Sequence, residues 1–173
     1  MFIKGNVEPG RSAARLFDGI DIDWEYPGSC GNTCNFRPED TQNYTALMAE
    51  FRRQLDVLAT ETGRRYELAI AAPAPEYLAA KYDLPGLSRS LDYLSLMSYD
   101  LHGQWELQTN FHSPLFPSPK DPAGPGVNAH AYVNWFLANG VPTSKLVLGE
   151  PFYGRGWRGV PDVNHGLYQP ATG

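Results

Sequence analysis

The stretch FDGIDIDWE, at positions 17–25, constrains the fold more than any other part of the chain because acidic and apolar side chains alternate along it. Successive side chains of an extended strand point to opposite faces, so Asp21, Asp23 and Glu25 share one face while apolar residues share the other. A Pro-Gly pair follows and disfavours a longer strand. The pattern therefore predicts a β-strand over Phe17–Glu25 that carries a row of carboxylates.

The row of acids is expected to do chemistry. A strand of a parallel sheet is normally buried on both faces, where three acids cost several kcal/mol unless they are paired, protonated or used. Adjacent carboxylates cannot all ionise, so at least one should keep its proton near neutral pH. Glu25 lies nearest the C-terminal end and is best placed as a general acid, with Asp23 sharing a proton with Glu25 or Asp21. The acids form a line and not a cage, so no metal site is predicted; solvated carboxylates on an edge strand are the remaining alternative.

Strand-like and helix-like segments alternate along the chain. The predicted strands after the first are Tyr66–Ala72, Asp92–Tyr99 and Lys145–Tyr153, and the predicted helices are Pro38–Thr62, Leu84–Ser90 and His130–Asn139. A long segment without regular structure is predicted over Asp100–Asn128. This order indicates βα units around a parallel sheet, either a doubly wound sheet or a (β/α) barrel. No glycine-rich phosphate loop follows the first strand, and polar residues gather at the C-terminal strand ends, which favours the barrel.

Charge and hydropathy exclude several classes of partner. The 14 basic and 19 acidic residues give a net charge of −5, which argues against nucleic acid or an anionic membrane as a partner. No apolar run is long enough to cross a membrane, and no signal peptide is visible after Met1. The only cysteines, Cys30 and Cys34, are predicted to form a local disulfide, which favours an exported protein; two free thiols on a loop are the alternative.

Three segments resemble glycoside hydrolase family 18, the chitinases and their relatives. DGIDIDWEYP at 18–27 is similar to the family signature D-x-x-D-x-D-x-E in all four acidic positions. LSLMSYDLHGQW at 94–105 resembles the M-x-Y-D strand with its following tryptophan, and LVLGEPFYGRGW at 146–157 resembles the G-x-P-F-Y-G-R strand. The resemblance implies a TIM (β/α)8 barrel and no cofactor. It also implies hydrolysis of chitin or chito-oligosaccharides, which are β-1,4-linked N-acetylglucosamine polymers, with retention of configuration.

The resemblance also implies roles for the acids. Glu25 is expected to protonate the glycosidic oxygen and then activate water, while the N-acetyl oxygen of the substrate attacks in place of a second protein carboxylate. Asp23 is expected to orient the acetamido N–H, with Asp21 supplying the proton balance behind it. Tyr99 is expected to donate a hydrogen bond to the acetamido carbonyl.

Aromatic and polar residues at the strand ends are the predicted substrate contacts. Trp105, in the polar loop after Tyr99, is expected to stack on a sugar ring. Arg155 is expected to contact sugar hydroxyls or Asp100. The full predicted set of substrate contacts is Asp100, Met97, Trp105, Tyr26, Tyr153 and Arg155, where the two tyrosines could equally make structural hydrogen bonds. Trp24 and Trp135 are expected in the core, Trp157 is left open, and His102 and His112 are expected to make hydrogen bonds within the loop.

The length of the chain predicts an incomplete barrel. A whole (β/α)8 barrel takes roughly 250 residues, and the order of motifs places this chain at about the fourth to seventh strands. Residues 1–173 are therefore expected to form a partial catalytic domain, in which 154–173 begin an inserted lobe. The alternative function is a non-catalytic chitin-binding relative or an inactive fragment. A secreted monomer is expected from the family and the cysteine pair.

Overall fold

The structure is a computed structural model that describes Ile3, residues 6–8, residues 11–12 and residues 16–173. Its strands are β1 Asn6–Glu8, β2 Arg11–Ser12, β3 Gly19–Ile22, β4 Glu67–Pro73, β5 Tyr93–Met97 and β6 Leu146–Leu148. Its α-helices are α1 Asp40–Thr62, α2 Glu76–Ala79, α3 Leu84–Ser90 and α4 Ala129–Ala138, and 3-10 helices span Thr143–Lys145 and Asn164–Gly166. The first residues of the chain, on which the signal-peptide prediction depends, lie mostly outside this description.

The central sheet is parallel, with its strands in the order β3-β4-β5-β6. β1 and β2 form a separate antiparallel pair. Register aligns Ile22 with Ile70, and Ile70 with Leu94, so the apolar side chains of neighbouring strands fall in rows. Sequential parallel strands joined by helical crossovers are consecutive βα units, as the sequence predicted.

Helices cover one face of this sheet. The buried core joins side chains of α1, α3 and α4 to Leu68, Ile70, Leu94 and Leu96 of the strands, and Ile20, Ile22 and Trp24 pack against it. The acidic side chains between these β3 positions therefore lie on the opposite face. On that face Asp21 pairs with the small residue Ala69, and Ala71 pairs with Ser95, while the larger Tyr93 and Met97 lie on the same face of β5.

Helix α1 follows from its apolar spacing and its ends. Its buried positions Tyr44, Met48, Leu55 and Leu58 recur at three-, four- and seven-residue steps, which aligns them on one face. The helix begins at Asp40 and not at the predicted Pro38, because the Asp40 carboxylate accepts the backbone N–H of Arg37 at 2.9 Å and holds a turn there. Gly63 ends the helix with φ 67° and donates its N–H to the Ala59 carbonyl.

Three predicted strands are too long at their C-terminal ends, and the third strand of the sheet, β5, stops at Met97 and not at the predicted Tyr99. β3 stops at Ile22, and the carbonyl of Trp24 accepts a hydrogen bond from the hydroxyl of Tyr82 at 3.3 Å, outside the sheet ladder. β6 covers Leu146–Leu148 and not Lys145–Tyr153, because Pro151 has no N–H to donate to a ladder. The long segment without helices or strands over 100–128 is confirmed. In the described part of the chain, no helix combines the length and apolar character that a membrane span requires.

An ion-pair cluster ties the elements together at the N-terminal edge of the sheet. Asp92, immediately before β5, accepts hydrogen bonds from Arg52 of α1 at 3.0 Å and from the backbone N–H of Leu68 at 2.8 Å, and it also pairs with Arg65. The Asp92 side chain is 15% exposed. Although burial alone would raise the pKa of Asp92, the Leu68 N–H and the two arginines lower it. Through these bonds Asp92 connects α1 and β4 to the start of β5.

We expect Asp92→Ala to lower the free energy of unfolding by about 2 kcal/mol, because it leaves a half-buried arginine and a strand N–H without their acceptor. Denaturant titration measures this loss. Asp56→Ala is the matched control, since Asp56 also pairs with Arg52 but is 65% exposed; it should cost under about 0.5 kcal/mol. Equal losses in the two variants would contradict the role given to Asp92.

Candidate active site

The acid row, Asp21, Asp23 and Glu25, keeps its alternation beyond the end of β3. All three acids are exposed, while Ile22 and Trp24 between them are half-buried against the core. The expected burial of the acids is therefore wrong for the described residues, because helices cover only the opposite face of the sheet. Their shared face is as predicted.

Two tyrosines, one in helix α1 and one in the connection between α2 and α3, hold the backbone of the acid row. The hydroxyl of Tyr44 donates to the Ile22 carbonyl at 3.4 Å, and the hydroxyl of Tyr82 donates to the Trp24 carbonyl at 3.3 Å. The ring of Tyr44 packs edge-on against Trp24 at 5.4 Å and against Tyr82 at 5.6 Å. Trp24 is thus part of the core, as predicted, and its packing fixes the strand on both sides of Asp23.

Glu25 is poised to keep its proton. Partial burial raises its pKa, and the hydrogen bond and charge of Asp23 and the charge of Asp100 add to that rise, although a hydrogen bond from Tyr26 opposes it. The pKa of Asp21 is also raised, by partial burial and by the charge of Asp23. Glu25 therefore stays protonated to a higher pH than an isolated glutamic acid, which is the property a general acid needs.

A second group of residues surrounds Asp100, directly after the third strand of the central sheet. The Asp100 carboxylate accepts hydrogen bonds from the Tyr153 hydroxyl at 2.5 Å, from Nε of Arg155 at 2.6 Å and from Nε2 of His112 at 2.8 Å. We call these four residues the Asp100 cluster. Burial alone would raise the pKa of Asp100, but these three donors and the charge of Arg155 lower it, so Asp100 stays ionised. Burial and the hydrogen bond to Asp100 raise the pKa of Tyr153 to about 12.

Tyr99 connects the acid row to the Asp100 cluster. Its ring meets Tyr153 edge-on at 6.2 Å. Partial burial raises the pKa of Tyr99, and the charges of Asp23, Glu25 and Asp100 raise it further, which places the hydroxyl within the field of both groups. Tyr99 therefore remains a hydrogen-bond donor. Met97, the last residue of β5, pairs with Pro73 of β4 and is half-buried.

Trp105 stands beside this site on a tight turn. Trp105 is 54% exposed, and the guanidinium carbon of Arg155 lies 5.3 Å from its ring centroid. Gly103 lies against the ring, since a Cβ there would be 2.9 Å from Cε3 of Trp105 and closer still to neighbouring ring atoms. His102 Nδ1 and the Glu106 carboxylate, 3.0 Å apart, close the turn, and Trp157 Nε1 donates to the Glu106 carbonyl at 3.1 Å. The turn thus leaves about half of the surface of Trp105 exposed to solvent.

The structure brings together most of the predicted site residues. Tyr26 forms a hydrogen bond with Glu25, and burial with that bond raises its pKa. Tyr153 and Arg155 both reach Asp100, while Trp135 packs against the core as predicted. His112, which the sequence predicts to make a hydrogen bond within its loop, makes that bond to Asp100 and so belongs to the Asp100 cluster. The sequence gives little indication of this role, because His112 lies twelve residues after Asp100 and comes close to it only when the loop is folded.

The tail after Tyr153 folds back onto the loop that follows Trp105. Gln108 and Pro170 form an isolated antiparallel bridge, and the backbone N–H of Ala171 donates to the carbonyl of Leu107 at 2.7 Å. The suggestion that 154–173 begin an inserted lobe stays a prediction. Cys30 and Cys34 form the predicted disulfide.

Comparison with known proteins identifies the family. The model of the glycosyl hydrolases family 18 matches residues 2–172. The chain belongs to glycosyl hydrolase family 18. Chitinase A1 of Niallia circulans is 42% identical over 164 residues, which are 91% of this chain and 23% of that protein.

Solved structures of family 18 proteins agree with the fold. Chitinase ChiA74 from Bacillus thuringiensis superposes with a TM-score of 0.85 at 41% identity, covering 91% of this chain and 25% of that one. The catalytic domain of the psychrophilic chitinase B from Arthrobacter TAD20 gives a TM-score of 0.88 at 38% identity, covering 99% and 42%. These matches confirm a partial (β/α) barrel, of which the described residues form four parallel strands. The chain spans about a quarter of the length of the first relatives it matches.

Proposed function

We propose that this family 18 chain carries the active site of a retaining chitinase that hydrolyses β-1,4-linked N-acetylglucosamine polymers. The observation that carries the proposal is Glu25, whose pKa is raised by partial burial, by the hydrogen bond and charge of Asp23 and by the charge of Asp100. A protonated carboxylic acid next to fixed negative charge suits a reaction that begins with proton donation and develops positive charge on the sugar. The three relatives described above are named as chitinases, which agrees with this assignment.

The proposed first step breaks the glycosidic bond. Glu25 donates its proton to the glycosidic oxygen, while the carbonyl oxygen of the substrate's N-acetyl group bonds to the anomeric carbon and displaces the leaving sugar. Asp23 accepts a hydrogen bond from the acetamido N–H and aims that group at the anomeric carbon. The hydroxyl of Tyr99 donates a hydrogen bond to the acetamido oxygen and so positions it. Asp21 balances the charge behind Asp23.

The proposed second step returns the enzyme to its starting state. Glu25, now ionised, takes a proton from water as the water oxygen bonds to the anomeric carbon and the acetamido oxygen leaves. The two displacements at one carbon give net retention, with one water added across the bond. Incubation with chito-oligosaccharides of defined length, followed by proton NMR of the newly formed ends, tests this scheme. Initial products of the β configuration are expected, and α products or binding without turnover would overturn it.

Trp105 is proposed to stack on a sugar ring of the bound polymer. A pyranose presents an apolar C–H face, and the exposed ring of Trp105 lies beside the Asp100 cluster through Arg155. Arg155 and Tyr153 then contact the sugar next to it, with Met97 and Tyr26 closer to the acid row. We also propose an extracellular site of action, which the disulfide supports.

We expect Trp105→Ala to raise KM for chito-oligosaccharides about tenfold, or about 1.4 kcal/mol, with a smaller change in kcat, since the stacking contact is made in both ground and transition states. Steady-state kinetics measure the split. Leu107→Ala is the matched control because Leu107 is a nearby apolar residue that is even more exposed. A KM that stays at the wild-type value in Trp105→Ala would refute the stacking role.

A further inference from the structure

The loop that follows the acid row is closed by a disulfide and lies against the backbone of Glu25. Gly31, inside the five-residue ring from Cys30 to Cys34, approaches so closely that a Cβ there would overlap the carbonyl oxygen of Glu25 and lie 2.7 Å from its carbon. The same atom would be 3.3 Å from the backbone nitrogen of Tyr26. The backbone of the ring therefore packs directly on the peptide group that follows the acid.

Burial does not hold this ring in shape. Every residue from Cys30 to Glu39 is exposed, so the ring makes no core of its own. The interactions that define it are local: the disulfide, a hydrogen bond from the N–H of Gly31 to the carbonyl of Thr33 at 2.9 Å, and two longer ones, from the N–H of Ser29 to the carbonyl of Tyr26 at 3.4 Å and from the N–H of Asn35 to the hydroxyl of Thr33 at 3.5 Å. A short exposed loop with so few interactions depends on its covalent closure to keep one conformation.

Glu25 is therefore held from two sides. On the core side, Tyr82 donates its hydroxyl to the carbonyl of Trp24, the residue before Glu25. On the solvent side, Gly31 covers the peptide after Glu25. The first contact belongs to the packed core and the second depends on the disulfide ring. Opening the ring would release only the second contact, leaving the acid attached to a stable fold but free to move.

We propose that the ring closed by Cys30 and Cys34, acting through Gly31, is a positioning element that fixes the general acid Glu25, so that enzymatic turnover depends on the oxidation state of this disulfide. The inference rests on the proposed function of Glu25. Misplacement of a reacting group by about 1 Å can cost roughly 100-fold in rate. Losing the ring contact should lower kcat less than removing the acid does, because Glu25 is still present. We therefore expect a value of kcat between that of the wild type and that of a variant without the acid.

Two variants in the full-length protein test the proposal by different routes. Cys30→Ser with Cys34→Ser opens the ring, and Gly31→Ala adds a methyl that must push the ring away from Glu25 without touching sulfur. Both should lower kcat about tenfold or more and leave KM within about twofold, because substrate contacts elsewhere are intact. Gly126→Ala is the matched control, since a Cβ at Gly126 meets nothing within 4 Å.

The pH profile separates positioning from general loss of structure. A freed Glu25 loses part of the burial that raises its pKa, so the alkaline limb of activity should move to lower pH in both variants. Reduction of the wild type by dithiothreitol should give the same change. The reagent transfers two electrons and two protons to the disulfide, forming two thiols and its own cyclic disulfide, and the change should reverse on reoxidation. The chain has no other cysteine, so no other disulfide within it can respond.

A readout independent of turnover keeps this inference distinct from the proposed function. Carbon-13 NMR of the Glu25 carboxyl carbon follows its titration directly, with Glu25→Gln used to assign the signal. A lower titration midpoint in the reduced protein supports the positioning role even if the wild type cleaves no chito-oligosaccharide, an outcome that would refute only the function. Unchanged titration, kcat and alkaline limb in Gly31→Ala and in the reduced protein would overturn the inference.

Discussion

Glu25→Gln should abolish turnover of chito-oligosaccharides, with kcat lowered by roughly 1000-fold or more. Glutamine has nearly the same shape but cannot donate a proton to the glycosidic oxygen, so the first bond cleavage loses its acid. Substrate binding should persist, because the acetamido contacts of Asp23 and Tyr99 and the aromatic face of Trp105 are unchanged. Kinetic assays for turnover and calorimetry for oligosaccharide binding measure the two effects separately.

Glu150→Gln is the matched control for this variant. Glu150 is exposed just after β6, and none of the interactions described above involves it. The same substitution there should leave kcat within about twofold of the wild type. The assignment of Glu25 fails if Glu25→Gln turns over substrate at the control rate, and the chain would then fit a carbohydrate-binding protein better than a hydrolase.

Asp23→Asn should lower kcat by roughly 100- to 1000-fold and also change the pH dependence. The loss of rate follows from an acetamido group that is no longer oriented by a charged acceptor. The pH effect follows from Glu25: its reactive form is the protonated one, so activity is lost as pH rises through its pKa. Asp23 raises that pKa through its charge and hydrogen bond, so removing the charge lowers it. The alkaline limb of kcat/KM should therefore move to lower pH.

Asp18→Asn supplies the control within the same motif. Asp18 lies at the other end of the strand, where it pairs with Arg64 at 2.5 Å and has a 76% exposed side chain. Its substitution should leave the alkaline limb in place. A limb that shifts equally in both variants would show that the total charge of the strand, and not the contact between Asp23 and Glu25, sets the pKa of the acid.

The faces of the sheet could be predicted from the sequence, but the strand ends could not. The alternation through Asp21, Asp23 and Glu25 is a local property of an extended chain, so it survives where the hydrogen-bonded ladder ends at Ile22. The end of a ladder depends on the partner strand and on competing donors such as the Tyr82 hydroxyl. These are contacts between distant residues, which a local pattern does not contain.

The candidate site divides in the same way. The motifs indicated the acids and the aromatic residues at strand ends, because those residue types follow directly on predicted strands. His112 and Gly31 were missed as parts of the site. His112 reaches Asp100 only when the long loop folds back, and Gly31 reaches Glu25 only through a contact of two backbones. Glycine and histidine are common in polar loops that merely connect strands and helices, so their presence in such a loop does not indicate a site.

The ion-pair cluster around Asp92 and the acid Glu25 set different limits on the pH range in which the protein is both stable and active. Because the pKa of Asp92 is lowered in the folded protein, its contribution to stability is present above the ordinary pKa of an aspartate and is lost as pH falls through the lowered value. Glu25, at the opposite edge of the same sheet, loses its reactive proton as pH rises. Low pH therefore lowers the stability of the fold, and high pH lowers the activity. Substitutions at one edge could widen the range on one side without disturbing the other.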